Sequence, residues 1–206
     1  MKVLLINGSP HEKGCTYTAL SLIAGELNAA GIETEILNVG TKPVGGCIGC
    51  GGCRSGNGCV FGGVVNEAIE KAKTADAFVF GTPVHYASAS GNMTSFMDRL
   101  AYAGGRYLAY KPAAICCSAR RAGTTSTLDQ LVKYPEFFHM PLVSGSYWPM
   151  VHGSNPEQVL QDAEGCAVMQ ELGRNMAWLL QCIEAGKAAG IQHPENPRRP
   201  MTNFIR

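Results

Sequence analysis

The chain alternates short, uninterrupted apolar runs with longer stretches whose apolar residues recur every three or four positions. Val3-Leu4-Leu5-Ile6 is the first run and predicts a buried strand, because a strand covered on both faces needs no polar alternation. A helix is predicted from about Cys15 to Ala30, where Ala19, Ile23 and Leu27 share a face and Gly31 supplies the stop. Further strands are expected at 32–39, 77–80, 113–117 and 142–146. Further helices are expected at 64–75, with Val65, Ala68, Ile69 and Ala72 inward, at about 91–102, and from about Thr125 onward. The last helix is expected at about 162–185, with Val168, Leu172, Met176, Leu179 and Ile183 as its apolar stripe. Residues 40–63 break this rhythm, being rich in glycine and cysteine and without a period. Strands alternating with helices predict an α/β fold, a five-stranded parallel sheet with helices on both faces. Such sheets bind ligands beyond the C-terminal ends of their strands, which directs attention to the loops after the first, third, fourth and fifth.

A length of 206 residues suits one well-cored domain, expected at 1–190 with an insertion at 45–63, followed by an extended Pro- and Arg-containing tail at 191–206. A formal net charge of +1 argues against nucleic acid as a partner, since a polyanion favours a basic surface. The first apolar run is too short for a signal peptide or a membrane span, and no later run is long enough. A cytoplasmic protein with no membrane partner is therefore expected. The nine cysteines are an odd number, which argues against a disulfide framework.

The first loop, Gly8-Ser9-Pro10-His11-Glu12-Lys13-Gly14, leads into Cys15-Thr16-Tyr17 at a helix start. A strand turning into a helix through such residues can bind an anion on the unpaired N–H groups of the first turn. The same composition also suits an ordinary capped turn. Neither a dinucleotide fingerprint nor a P-loop is present, so a phosphate monoester fits better than a dinucleotide. After the third strand, Pro83, Val84, His85 and Tyr86 suit the face and edge of a planar heterocycle, or simple packing at a strand end. After the fourth, Arg120 and Arg121 beside Ala122-Gly123 would put charge and open backbone near a ligand, or form a solvated basic turn. His85 and His152 stand at strand ends, where a histidine is often a hydrogen-bonded wall residue.

Cys47, Cys50, Cys53 and Cys59 form a C-x2-C-x2-C-x5-C pattern. Thiolates at this spacing can converge on one centre, and the intervening glycines let the backbone fold around it. The spacing is close to a bacterial ferredoxin run but lacks its x3 step and following proline. An iron–sulfur cluster, a structural zinc ion and a set of reduced thiols at a subunit contact are all compatible with it. Cys116 and Cys117 lie in a predicted strand and Cys166 and Cys182 on the last helix, where cysteine serves as a small apolar residue.

Four segments in this order, Gly8-Ser9-Pro10, Thr82-Pro83-Val84-His85-Tyr86, Ser118-Ala119-Arg120-Arg121-Ala122-Gly123-Thr124 and Tyr147-Trp148-Pro149-Met150-Val151-His152-Gly153, resemble the NADPH-dependent FMN reductase and iron–sulfur flavoprotein group of flavodoxin-like proteins. The ending Thr202-Asn203-Phe204-Ile205-Arg206 is similar to that of one subgroup of anaerobe oxidoreductases. The resemblance implies a flavodoxin-like three-layer sandwich with strand order 2-1-3-4-5, and FMN as cofactor. Ser9, Cys15, Thr16 and Tyr17 would then hold the phosphate, with His11 where the family usually has arginine and Cys15 where it often has asparagine. The phosphate site is then less positive. Pro83, Val84, His85 and Tyr86 would line the isoalloxazine, and Ser118, Ala119, Arg120, Arg121, Gly123 and Thr124 would face its pyrimidine edge.

The function the resemblance implies is an FMN-dependent NAD(P)H oxidoreductase, passing hydride through the flavin to a small acceptor such as a quinone, a flavin, an azo or a nitro compound. No side chain is expected to act as acid or base. The alternative is an iron–sulfur flavoprotein that accepts electrons from ferredoxin through a [4Fe–4S] cluster at Cys47, Cys50, Cys53 and Cys59. The group has acidic residues after its fourth cysteine where this chain has Gly62-Gly63. A homodimer or homotetramer is expected, with a neighbouring subunit completing the flavin site.

Overall fold

The computed structural model describes residues 1–196 and 200–204. Within them the elements are β1 (Lys2–Asn7), α1 (Cys15–Ala29), β2 (Glu33–Asn38), α2 (Val64–Thr74), β3 (Ala77–His85), β4 (Ser88–Ala89), α3 (Gly91–Gly104), β5 (Ala113–Ala119), α4 (Thr124–Phe137), β6 (Met150–His152), α5 (Pro156–Val159) and α6 (Ala163–Ala188). The sheet runs β2-β1-β3-β5-β6, every one of these pairs parallel, and β4 folds back antiparallel on the end of β3. This is the expected strand order with one additional two-residue strand.

Alternate strand residues build two separate cores. Leu4, Ile6, Phe78, Phe80, Ile115 and Cys117 meet Val65, Ile69, Met93, Phe96, Leu100 and Leu131 from α2, α3 and α4. Val3, Leu5, Val79, Ala114, Cys116 and Val151 meet Leu20, Ile23, Leu27, Met169, Leu172 and Met176 from α1 and α6. Covering both faces is what allows the strands to be apolar without interruption. On α6 the inward stripe passes through Leu180, with Leu179 packed partly against the same core and Ile183 only half-buried.

Three strands differ from expectation. β3 and β5 run on to His85 and Ala119, because Gly81-Thr82-Pro83 keeps pairing with Cys116-Cys117-Ser118. The fifth strand is not 142–146. Leu142 makes a single bridge to Ala113, and the chain rejoins the sheet at Met150–His152. Between them α6 holds the backbone off the edge: Glu171 Oε2 accepts from Ser146 N–H (2.9 Å) and Oγ (2.6 Å), and Asn175 Nδ2 donates to the Ser144 carbonyl (2.8 Å). Of the tail expected at 191–206, His193 stacks on Tyr110 with ring centroids 4.4 Å apart. Residues 197–199 and 205–206 lie outside the described residues.

Candidate functional site

The strand order puts the C-terminal ends of β1, β3, β5 and β6 side by side, and with them residues 8–14, 86–87, 120–123 and 153–155. Local side-chain bonds shape the first of these loops. Asn7 Oδ1 accepts from Ser9 N–H (3.1 Å), Asn7 Nδ2 donates to the Glu12 carbonyl (3.2 Å) and to Asn38 Oδ1 (2.8 Å), and His11 N–H donates to Ser9 Oγ (3.1 Å). These are Asx- and Ser-type turns, which replace the ladder bonds the strand gives up. Two residues that sequence reasoning passed over fix the loop from outside. Ser90 caps α3 through Met93 N–H and donates its Oγ to the Gly8 carbonyl (2.9 Å). Gly40 passes so close that a Cβ there would stand 2.3 Å from the Ser9 carbonyl oxygen.

α1 begins at this loop without a side-chain cap: Gly14 stands at the cap position, and the first turn carries no acidic residue. Its leading N–H groups and the positive end of its dipole are thereby offered to an anion. Two of the residues expected at the phosphate or the ring also bond within the protein. Thr16 and Ser118 are both buried, and their hydroxyls bond to each other at 2.8 Å. Their side chains tie α1 to β5, and since one hydroxyl donates to the other, the accepting hydroxyl keeps its own proton to donate. Cys15 Sγ likewise faces the Gly153 carbonyl at 3.6 Å, and burial, aided by the charge of Glu157, pushes its thiol pKa up. It is a neutral neighbour of the turn rather than a charge. Ser9 is buried, Tyr17 half-buried and His11 exposed.

The hairpin between β3 and β4 turns at Tyr86 and Ala87, both with positive φ (51° and 58°). L-residues other than glycine rarely hold such a conformation, and strain of this kind collects at ligand sites. It is imposed here by α4. Ser126 Oγ donates to the Ala87 carbonyl (2.7 Å), and Gln130 Oε1 accepts from Ser88 Oγ (2.7 Å) and Ala89 N–H (2.9 Å). Gly123, at φ 94°, lies under the turn, where a Cβ would come 2.6 Å from Ala87 Cα. Pro83 and Val84 are half-buried, His85 is exposed, and the Tyr86 ring projects fully into solvent. Ala119 and Thr124 are buried, whereas Arg120 and Arg121 are exposed and make no ion pair among the described residues. His152 is a wall residue, its N–H bonded to Asp162 Oδ2 at 2.7 Å.

The second site is the segment between β2 and α2. Cys47, Cys50, Cys53 and Cys59 all line one cavity of about 610 Å³, together with Asp98, Arg99 and Tyr102 of α3. All four are free thiols. Gly49, Gly51, Gly56 and Gly58 take positive φ and supply the reversals between them. Among the described residues no three His, Cys, Asp or Glu side chains converge tightly enough to hold an ion. The donor set is nonetheless all thiol, which suits a soft metal or an iron–sulfur cluster. Asn66 clamps the last cysteine, accepting from Cys59 N–H (2.8 Å) and donating to its carbonyl (3.0 Å). Cys116 and Cys117 are buried in β5, which makes them inert: burial pushes Cys117 up to about 12 and Cys116 higher still.

A doubly wound parallel sheet with a phosphate-type loop after its first strand and a strained hairpin after its third defines a flavodoxin-like protein. Solved structures share the fold: a flavone reductase (TM-score 0.66, 18% identity, covering 89% of this chain and 64% of that one), and an NADH:FMN oxidoreductase (TM-score 0.61, 18% identity, 88% and 89%). The sequence model of the NADPH-dependent FMN reductase family matches residues 1–155. The chain belongs to that family, and is a flavoprotein oxidoreductase. Among curated relatives, an iron–sulfur flavoprotein of Methanocaldococcus jannaschii is 28% identical over 89% of this chain and 100% of its own length. Another, of Archaeoglobus fulgidus, is 31% identical over 80% and 83%.

Proposed function

We propose that the chain is an FMN-dependent oxidoreductase whose cysteine cavity holds a [4Fe–4S] cluster, the two centres exchanging single electrons. The observation that carries this is the gathering of four cysteines on one cavity beside α3, the helix that also caps the flavin-side loop at Gly8. From Ser90 to Arg99 is about 14 Å along the helix axis, so one rigid element spans both sites. FMN, when bound, supplies two-electron and one-electron chemistry, and a cluster supplies one-electron chemistry.

The protein's own part is to bind and orient. The leading N–H groups of α1 and the Ser9 hydroxyl would take the phosphate. Pro83 and Val84 would wall the ring on the side of β3, and the Tyr86 ring, now in solvent, would close over it or meet a neighbouring subunit. Arg120 and Arg121 would bring positive charge to the ring's polar edge, which favours a reduced, anionic flavin. The names of the relatives, iron–sulfur flavoproteins, support the cluster.

A second reading, direct hydride transfer from NAD(P)H to the flavin and on to a small acceptor, is supported by the match to a family described as NADPH-dependent. The two are separated by absorption spectra of protein purified without oxygen. A broad cluster absorption, with slow bleaching by NADPH and rapid bleaching by reduced ferredoxin, supports the two-centre reading. Flavin bands alone, bleached at once by NADPH, support the second. Protein that takes up no FMN overturns both.

A further inference from the structure

Arg99 sits in the middle of α3 with only 6% of its surface exposed. A buried guanidinium ordinarily needs a carboxylate, because burying an unpaired charge is costly. Arg99 has no ion pair among the described residues, and the adjacent Asp98 carboxylate is engaged by the Tyr134 hydroxyl. Its donors are spent on the cysteine segment instead. Nη1 reaches the Gly45 carbonyl (3.3 Å), Nη2 the Gly62 carbonyl (3.0 Å), and Nε points at Cys59 Sγ (3.2 Å). The Phe61 ring lies beside the guanidinium, its centroid 5.5 Å away, and shields it from water. One planar fork thus ties both ends of the segment to the helix and leaves a positive charge with no direct ion pair among the described residues at a thiol-lined cavity, whose lining also includes Asp98. Lysine, with a single nitrogen, cannot make the same three contacts.

We propose that Arg99 is the positioning residue of the cysteine site: its fork closes residues 45–62 around the cavity, and its charge on Cys59 Sγ favours the more negative, reduced state of the bound cluster. The proposal rests on the cluster reading above. A cluster held by four thiolates is anionic and gains a further negative charge on reduction, so a nearby fixed cation raises its potential. The cavity is then the missing counter-charge for the arginine, and the arginine the reason the segment is folded.

The test uses the full-length chain, as R99Q and R99K, reconstituted anaerobically with ferrous iron and sulfide. Three quantities are read: iron bound per chain, the midpoint potential of the cluster, and the rate of proteolysis within residues 45–62 of the iron-free protein. R99Q is expected to shift the one-electron equilibrium at least tenfold toward the oxidised cluster, about 59 mV downward. R99K, which keeps the charge but not the fork, is expected to hold the potential more nearly while losing at least half of the iron and being cleaved at least threefold faster. Equal iron and equal potential in wild type and R99Q overturn the proposal. If R99Q is recovered only unfolded, R99K decides it, and unchanged iron and unchanged cleavage overturn it. Wild-type protein that takes up no iron overturns the cluster reading. The clamp then stands or falls on cleavage of the iron-free chain, where equal rates in wild type and R99K refute it.

Discussion

The flavin-side edge and the cysteine segment are built in opposite ways. At the edge, four strand ends are delivered in register by a fully hydrogen-bonded parallel sheet, and the loops between them are short. The segment 40–63 has no strand and only a short 3-10 turn at Gly52–Ser55. It is held by side chains reaching out of α2 and α3: Asn66 to Cys59, Asn92 to Val44 N–H and to the Gly40 and Lys42 carbonyls, and Arg99 to Gly45, Cys59 and Gly62. An edge of the first kind is preformed whenever the domain folds. A segment of the second kind can open without unfolding the sheet, which is what loading a large inorganic cofactor requires.

The contrast is broken most severely at Gly123. Valine there would add left-handed strain of about 1–2 kcal/mol to an overlap with Ala87 costing about 1–3 kcal/mol. G123V is expected to lower the unfolding free energy by about 3 kcal/mol, read as a lower denaturant midpoint, and to weaken FMN binding at the same time. An unchanged midpoint would mean that α4 does not hold the hairpin. Next is S90A, which removes a helix cap worth about 1 kcal/mol and a donor to the Gly8 carbonyl worth about 1 kcal/mol. Calorimetry should show a lower Tm and titration a weaker FMN complex, because the loop loses its outer anchor.

N66A sharpens the comparison. It deprives Cys59 of both backbone bonds, about 1–3 kcal/mol locally, yet the global midpoint should barely move, while amide exchange near Cys59 accelerates at least tenfold. A global loss of the same size would show that the segment is part of the core. The smallest effect belongs to the surface. A hydrogen bond from Lys71, and then one from Lys2, hold the Glu35 carboxyl below its usual pKa. That contribution is fully present above the unfolded glutamate value of about 4.3 and fades as pH falls through the lower folded value. E35Q should therefore lower stability slightly at neutral pH, by an amount kept small by solvent screening, leave it unchanged at low pH, and so flatten the acid limb of the stability curve.

Much of the edge was legible along the chain. The apolar runs placed four strands, and Gly8, Pro83 and Gly123 marked the loops because turns demand those residue types. The fifth strand was misplaced: Leu142-Val143 looks like a strand start, and nothing local announces that Glu171 and Asn175 pull Ser144 and Ser146 off the sheet. The resemblance put Thr16 at the phosphate and Ser118 at the pyrimidine edge, and nothing local shows that their hydroxyls meet. Their mutual bond spans 102 residues and has no local signature. Ser90 and Arg99 were missed for the same reason, since each looks like an ordinary position on an amphipathic helix until its long-range partners are in view.

By itself, the sequence determined the doubly wound sheet, the glycine- and hydroxyl-rich loop that opens it, and the clustering of four cysteines. These are encoded in periodicity, turn chemistry and spacing, which act within a few residues. Only the tertiary structure decided that the four thiols share one cavity, that a buried arginine with no direct ion pair among the described residues lines it, and that two hydroxyls 102 residues apart are bonded to each other. Those outcomes depend on which distant groups packing brings within 3–4 Å, and on the need of every buried donor and charge for a partner once water is excluded.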